Sequence, residues 1–324
     1  MRGRDLKELK KNEVPPEVHA GLLHDLKDSG QRPLIYFWGG EPMLYAGVLD
    51  LVDLAASLKM PVSIATNGRG IARAAARLVA APLFLLQISV DGPDADTHNH
   101  ARPAAGKGNN FSEALDALEA VKRERRGTRS GLPLIASLTV INHGNYRRLT
   151  DIYRTLRDKV DLMVFYPSWW IDEAAAQAHD QDFHRRFGFH PTRHRGWLGI
   201  AKPGDLEALE QELEELKKLS SARNATPATL VPPLNGRDEI RTYYTDHADF
   251  LGYRQCVSIF QTPEINSNGD VSPCRDYHDF VVGNIKDAPL TELWNSFRYR
   301  LFRDSAAREG PMPVCSRCRG LMGY

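Results

Sequence analysis

Residues 33–42 read PLIYFWGGEP, a short apolar run that breaks abruptly into two glycines, a glutamate and a proline. The pattern recurs downstream, where 61–66 (PVSIAT) runs into Asn67 and Gly68, and 83–90 (LFLLQISV) runs into Asp91, Gly92 and Pro93. Two further apolar runs lie at 132–141 (LPLIASLTVI) and 161–167 (DLMVFYP). Nearly continuous apolar content marks strands covered on both faces, as in a parallel sheet. Helical patterns fall around these runs at 16–29, 45–59, 70–80, 111–126 and 145–158, with Leu115, Leu118 and Val121 at amphipathic spacing. The alternation predicts an α/β fold of parallel β/α repeats. A sixth strand at 228–233 (ATLVPP) is confined to a sheet edge, because Pro232 and Pro233 cannot donate to a ladder.

Residues 168–227 break this rhythm. Asp172 to Phe187 and Asp205 to Leu219 read as helices, and Leu206, Leu209, Leu213 and Leu216 on the second form a stripe suited to docking on the main domain. Domains are placed at 1–235, with this helical insert inside it, and at 236–324. His179, His184, His190 and His194 cluster in the insert, but 179 and 184 miss the i,i+4 spacing that aligns helical ligands, so exposed or capping histidines are expected. Tyr166, Trp169 and Trp170 suit a substrate-facing wall and buried packing equally. The basic run Lys122 to Arg126 closes a helix, where cations favour the macrodipole, and reads as solvated surface.

In parallel β/α architectures ligands sit at the C-terminal ends of strands, so the three polar turns after 38, 66 and 90 predict one shared pocket. Gly39 and Gly40 let backbone approach a ligand closely, and Glu41 can accept hydrogen bonds from an ammonium group. Taken singly, each turn is also what any βα connection favours.

The chain has four cysteines, Cys256, Cys274, Cys315 and Cys318. The first two read C-x12-G-x4-C around Gly269 and the last two C-x2-C, with Asn268 and Gly269 supplying a turn that folds Cys274 back toward Cys256. An iron–sulfur cluster and structural zinc both take four thiolates. Zinc sites usually bring two short knuckles, whereas 17 residues separate the first pair here, so spacing leans to iron–sulfur without closing the alternative.

With 42% hydrophobic residues and net charge +1, the composition suits one large domain plus a small one, and argues against nucleic acid or an anionic membrane as the main partner. The opening Met1-Arg2-Gly3-Arg4-Asp5 is charged and has no signal-type apolar run, making the cytoplasm the expected location. Reducing compartments keep thiols free for metal.

The order GGEP, TNG, SVDGP with Arg102-Pro103, then C-x12-G-x4-C and C-x2-C, resembles the radical S-adenosylmethionine (SAM) superfamily, and its C-terminal portion resembles that family's SPASM or shorter Twitch extension. The resemblance implies a partial (β/α)6 TIM-like barrel missing its first strand, plus a small C-terminal cysteine-rich iron–sulfur domain. It assigns the methionine amino group of SAM to Gly39, Gly40 and Glu41, and its carboxylate or ribose to Ser89 and Arg102. Asn67 and Asp91 would line the pocket, and the four cysteines would hold an auxiliary 4Fe–4S cluster. A complete enzyme of this kind cleaves SAM reductively to a 5'-deoxyadenosyl radical that modifies a peptide, protein or small-molecule substrate. A reductant such as flavodoxin or ferredoxin would be its partner.

One departure stands out: the family's C-x3-C-x2-C loop, whose thiolates hold the SAM-cleaving 4Fe–4S cluster, is absent from these 324 residues. The expectation is an N-terminally truncated chain, inactive alone, with that cluster present only in a full-length form. The alternative is a degenerate, non-catalytic binding module with a structural iron–sulfur or zinc site.

Overall fold

The computed structural model describes residues 12–81, 83–103, 108–199, 202–318 and 320–321; the charged opening, Met1 to Asp5, lies outside them. The chain runs α1 (Pro16–Asp28), β1 (Ile35–Phe37), α2 (Val48–Ser57), β2 (Val62–Thr66), α3 (Ile71–Ala80), β3 (Leu83–Ser89) and α4 (Ala95–Ala101). It continues through α5 (Asn110–Arg125), β4 (Leu134–Ile141), α6 (Leu149–Leu156), β5 (Leu162–Pro167), α7 (Glu173–Phe187), α8 (Leu206–Ser220) and β6 (Ala228–Leu230). Then come α9 (Arg237–Thr245), β7 (Glu264–Ile265), β8 (Asp270–Ser272), β9 (Gly283–Asn284), α10 (Leu290–Trp294) and α11 (Phe297–Glu309).

Strands β1 to β6 form one parallel sheet in sequential order. An unreversed order means every crossover advances the same way, as in a barrel, with none of the reversal that defines a doubly wound sheet. Burial alternates along β3: Leu86 and Ile88 are buried, whereas Leu85, Gln87 and Ser89 are partly exposed on the opposite face. Burying each such Leu or Ile contributes about 1.5–3 kcal/mol. β6 is short and lies at the sheet edge, as Pro232 and Pro233 predicted. The leucine stripe of α8 buries Leu209 and Leu216, and α8 packs on α6.

The chain divides into two compact units, one of residues 27–168 with 201–233 and one of 1–26, 169–200 and 234–324. The helical insert is thereby shared, α7 grouping with the cysteine-bearing unit and α8 with the sheet. In the cysteine-bearing unit β7, β8 and β9 form a small antiparallel sheet with Glu264 opposite Ser272, the turn that Asn268 and Gly269 predicted. Gly269 has φ +91°, and a Cβ there would fall 2.7 Å from Asn284 Oδ1.

Two expectations need correction, for the insert histidines and the basic run, and one open alternative closes, for Trp169. His179 and His194 are neither exposed nor caps, being 1% and 0% exposed with ring centroids 4.9 Å apart. Trp169 is buried packing, 3.8 Å centroid to centroid from Trp197 and 5.6 Å from Tyr277. Within the basic run, Arg125 is no solvated cation: it pairs with Asp161 and donates to the Pro133 carbonyl, bracing α5 against the starts of β4 and β5. Among the described residues no helix is long and apolar enough to cross a membrane.

Candidate functional site

The turns after β1, β2 and β3 meet at one end of the sheet because these neighbouring strands are parallel and in register, with Phe37 level with Ile64 and Thr66 with Ile88. Glu41 ties the first two turns together. Its Oε1 accepts from Thr66 Oγ1 (2.6 Å) and Met43 N (3.1 Å), and its Oε2 from Asn67 N (2.8 Å). A carboxylate has about four acceptor positions, so the protein itself takes most of what sequence alone offered to an ammonium group. What remains for a ligand is one acceptor position and the exposed backbone of Gly39 (φ +115°) and Gly40. Asn67 turns its Oδ1 onto Arg69 N (2.9 Å). Gly68 is sterically required, since a Cβ there would lie 2.8 Å from the Ala114 Cα on α5.

Asp91 has the equivalent role at the end of the neighbouring strand. It is 4% exposed, and its Oδ1 accepts from Val140 N at 2.8 Å while its Oδ2 receives Arg102 Nε. Its carbonyl accepts from Asn145 Nδ2 (2.9 Å). With both oxygens taken by the protein, Asp91 orients Arg102, whose side chain keeps 32% exposure at the rim. Ser89 ends β3 on the more open face of the sheet.

The Asp91 N–H is held by His98, a residue that sequence gave no reason to select. His98 Nδ1 accepts it at 3.0 Å, which places the ring hydrogen on Nε2. Asp94 caps α4 by accepting from Thr97 N (2.9 Å), and α4 lies so close that a Cβ on Gly92 would come 2.5 Å from His98 N. Burial pushes His98 down from 6.5 to about 4, with the Asp91 charge opposing and Arg102 adding. A depressed folded value means this contribution is intact above pH 6.5 and lost as pH falls toward 4, at about 1.4 kcal/mol per unit. Urea midpoints should therefore drop between pH 7.5 and 5 in the native protein and drop less in His98→Gln. Equal slopes would remove His98 from this role.

The cysteines converge in the other unit. Cys256 precedes a 3-10 turn at Ser258–Phe260, Cys274 follows β8, and Cys315 and Cys318 lie on and just after a 3-10 turn at Pro313–Arg317. All four are free thiols: Cys318 is buried in one cluster with Trp169, Ile171, Tyr277, Val314 and Leu321, and the half-buried Cys256, Cys274 and Cys315 pack against it. The knuckle closes through Cys318 N to the Cys315 carbonyl (3.0 Å), Tyr277 N donates to Cys274 Sγ (3.4 Å), and the Cys318 thiol donates to Asp276 Oδ2 (3.0 Å). Burial raises all four thiols, Cys315 to about 12 and Cys274 and Cys318 well above 9; the Asp276 charge is next for those two and Cys256 for Cys315. Such a nest ionises only when a cation arrives, releasing protons on binding. Among the described residues no three His, Cys, Asp or Glu side chains are drawn tightly enough together for a single ion. Four thiolates, one for each iron of the cube, are the donor set of a 4Fe–4S cluster. A SAM-cleaving cluster has no such residues here, since all four cysteines belong to this nest.

A radical SAM superfamily model matches residues 3–156, and a model for an iron–sulfur cluster-binding domain, SPASM, matches residues 256–319. The chain is similar to an AdoMet-dependent heme synthase of Methanosarcina barkeri, 23% identical over 323 residues that cover 97% of this chain and 83% of that protein. It is also similar to a pre-heme d1 synthase of Dinoroseobacter shibae, 26% identical over 323 residues, 94% of this chain and 72% of that one. The solved structure of anSMEcpe with bound AdoMet shares the fold, with TM-score 0.62 at 19% identity over 96% of this chain and 80% of that one. With the superfamily's model on the sheet and its cluster-binding model on the thiol nest, the chain belongs to the radical SAM superfamily of enzymes, as a member with a SPASM domain.

Proposed function

We propose that the strand-end rim holds SAM, that Cys256, Cys274, Cys315 and Cys318 hold an auxiliary 4Fe–4S cluster, and that the substrate of this radical chemistry is a haem-type tetrapyrrole. The observation that carries the SAM assignment is the meeting of the β1, β2 and β3 turns at one rim, locked by Glu41 and Asp91. The rim is divided chemically. Backbone oxygens at Gly39 and Gly40 and the last Glu41 acceptor position suit an ammonium group, whereas Arg102 and Ser89 suit a carboxylate or ribose hydroxyls. Asn67 and Asp91 support these groups from below. The cluster, when bound, supplies one-electron transfer, and a flavodoxin- or ferredoxin-type reductant would feed it.

Support for a tetrapyrrole comes from similarity to haem-pathway enzymes along nearly the whole chain. The partly exposed face of the sheet is consistent with a planar guest. Tyr36 and Trp38 stack there, 6.4 Å apart with 16° between ring planes, and Tyr36 donates to Gln87 Oε1 (2.6 Å). Stacking of this kind is worth about 0.5–1.5 kcal/mol. Titrating the reconstituted protein with iron coproporphyrin III should give a saturable Soret shift at one equivalent, and Trp38→Ala should weaken it roughly fivefold to tenfold. No shift at all would reject the tetrapyrrole and return the peptide or protein substrate that the resemblance implies.

A further inference from the structure

Arg317 stands between Cys315 and Cys318, yet its side chain is fully buried. Every guanidinium N–H is spent on a main-chain carbonyl. Nε donates to Tyr243 O (2.5 Å), Nη1 to Asp249 O (2.8 Å) and Ser316 O (2.6 Å), and Nη2 to Thr242 O (2.9 Å) and Asp246 O. The group also lies over the Tyr243 ring at 4.9 Å. Thr242, Tyr243 and Asp246 are the last turn and C-cap of α9, where the carbonyls carry the negative end of the helix dipole and only Thr242 O keeps a helical bond, from Asp246 N (3.0 Å). The planar five-donor fork meets this array, and an ammonium with three donors could not.

The carbonyls satisfy hydrogen bonds but do not neutralise charge. Among the described residues no carboxylate lies within ion-pair distance of Arg317; Asp172, Asp246 and Asp249 act on it only from farther away. A buried cation without a contacting anion is costly unless a counter-charge arrives. Four thiolates around a 4Fe–4S cube bring a net negative charge to Cys315 and Cys318, two residues before and one residue after Arg317 along the chain.

We propose that Arg317 is the positioning residue and charge partner of the four-thiolate centre: it locks the C-x2-C knuckle onto the end of α9, and its charge favours the reduced cluster. This rests on the four cysteines ligating one cluster.

The test reconstitutes the native protein, Arg317→Lys and Arg317→Met anaerobically, then measures iron content, redox midpoint and proteolysis across 237–249. Arg317→Lys should load iron and titrate near the native midpoint while becoming more cleavable at 237–249, because charge survives and the carbonyl array does not. Arg317→Met, where loaded, should show at least a tenfold lower reduced-to-oxidised ratio at the native midpoint, a fall of 59 mV or more for a one-electron couple. Failure of Arg317→Met to load while Arg317→Lys loads supports the proposal through its charge arm. Full loading of Arg317→Met with the native midpoint and cleavage pattern overturns it, as does loading by Met but not Lys. Native protein that takes up zinc instead of iron overturns the underlying cluster reading, and shows before any variant is compared.

Discussion

Replacing Cys256 by alanine is expected to cut the iron of the anaerobically reconstituted protein from about four atoms per chain to nearly none. Cys256 is the member of the nest most distant in sequence from the knuckle, and two segments must come together before all four cysteines lie against one hydrophobic cluster. Cluster binding and folding of residues 250–321 are therefore one event, because the binding free energy is available only to the folded arrangement. Without Cys256 one iron of the cube loses its thiolate and the segment leading into the Ser258–Phe260 turn loses its anchor on the centre, so the cluster is expected to be shed. The same loss should follow alanine at Cys274, Cys315 or Cys318. Limited proteolysis should show residues 250–321 loosening in step with the missing iron. A Cys256→Ala protein with a full cluster and unchanged protease resistance would break the ligand assignment and reopen two independent pairs. Stoichiometric zinc without visible absorption would make the centre structural.

All six strands of the parallel sheet were legible because each is a short run rich in apolar residues, and Pro232 with Pro233 even marked β6 as an edge. The hairpin at Gly269 was legible for a local reason as well, its left-handed backbone. Contacts between distant positions were not. Glu41 reads as a ligand for an ammonium group until Thr66 and Asn67, 25 and 26 residues away, turn out to hold both its oxygens. Nothing in the sequence singles out Arg317, whose fork lies on carbonyls 68 to 75 residues upstream. Helix α4 went unread because seven mostly polar residues carry no period, although Asp94 three residues before Thr97 is a capping signal. The buried His179 and His194 pair across a helix and a 3-10 turn, so no single-helix spacing could have revealed it.

Under reducing, anaerobic conditions these 324 residues are expected to bind SAM weakly or not at all and to form no 5'-deoxyadenosine. The sequence supplies four thiolates, and the fold gathers all of them into the SPASM nest. Four thiolates complete a cube and leave no iron open, whereas chelating SAM needs a cluster held by only three. The rim can still offer hydrogen bonds from Gly39 to Glu41, Ser89 and Arg102. At about 0.5–1.5 kcal/mol net for each bond, a few of them amount to roughly millimolar affinity. Equilibrium dialysis with labelled SAM should show that weak level, and chromatography of a dithionite reaction should match a control without protein. Turnover above that control would require an open iron in the one centre this chain can build. The four-thiolate assignment would then fail together with this prediction, and Cys256→Ala would be expected to keep its iron.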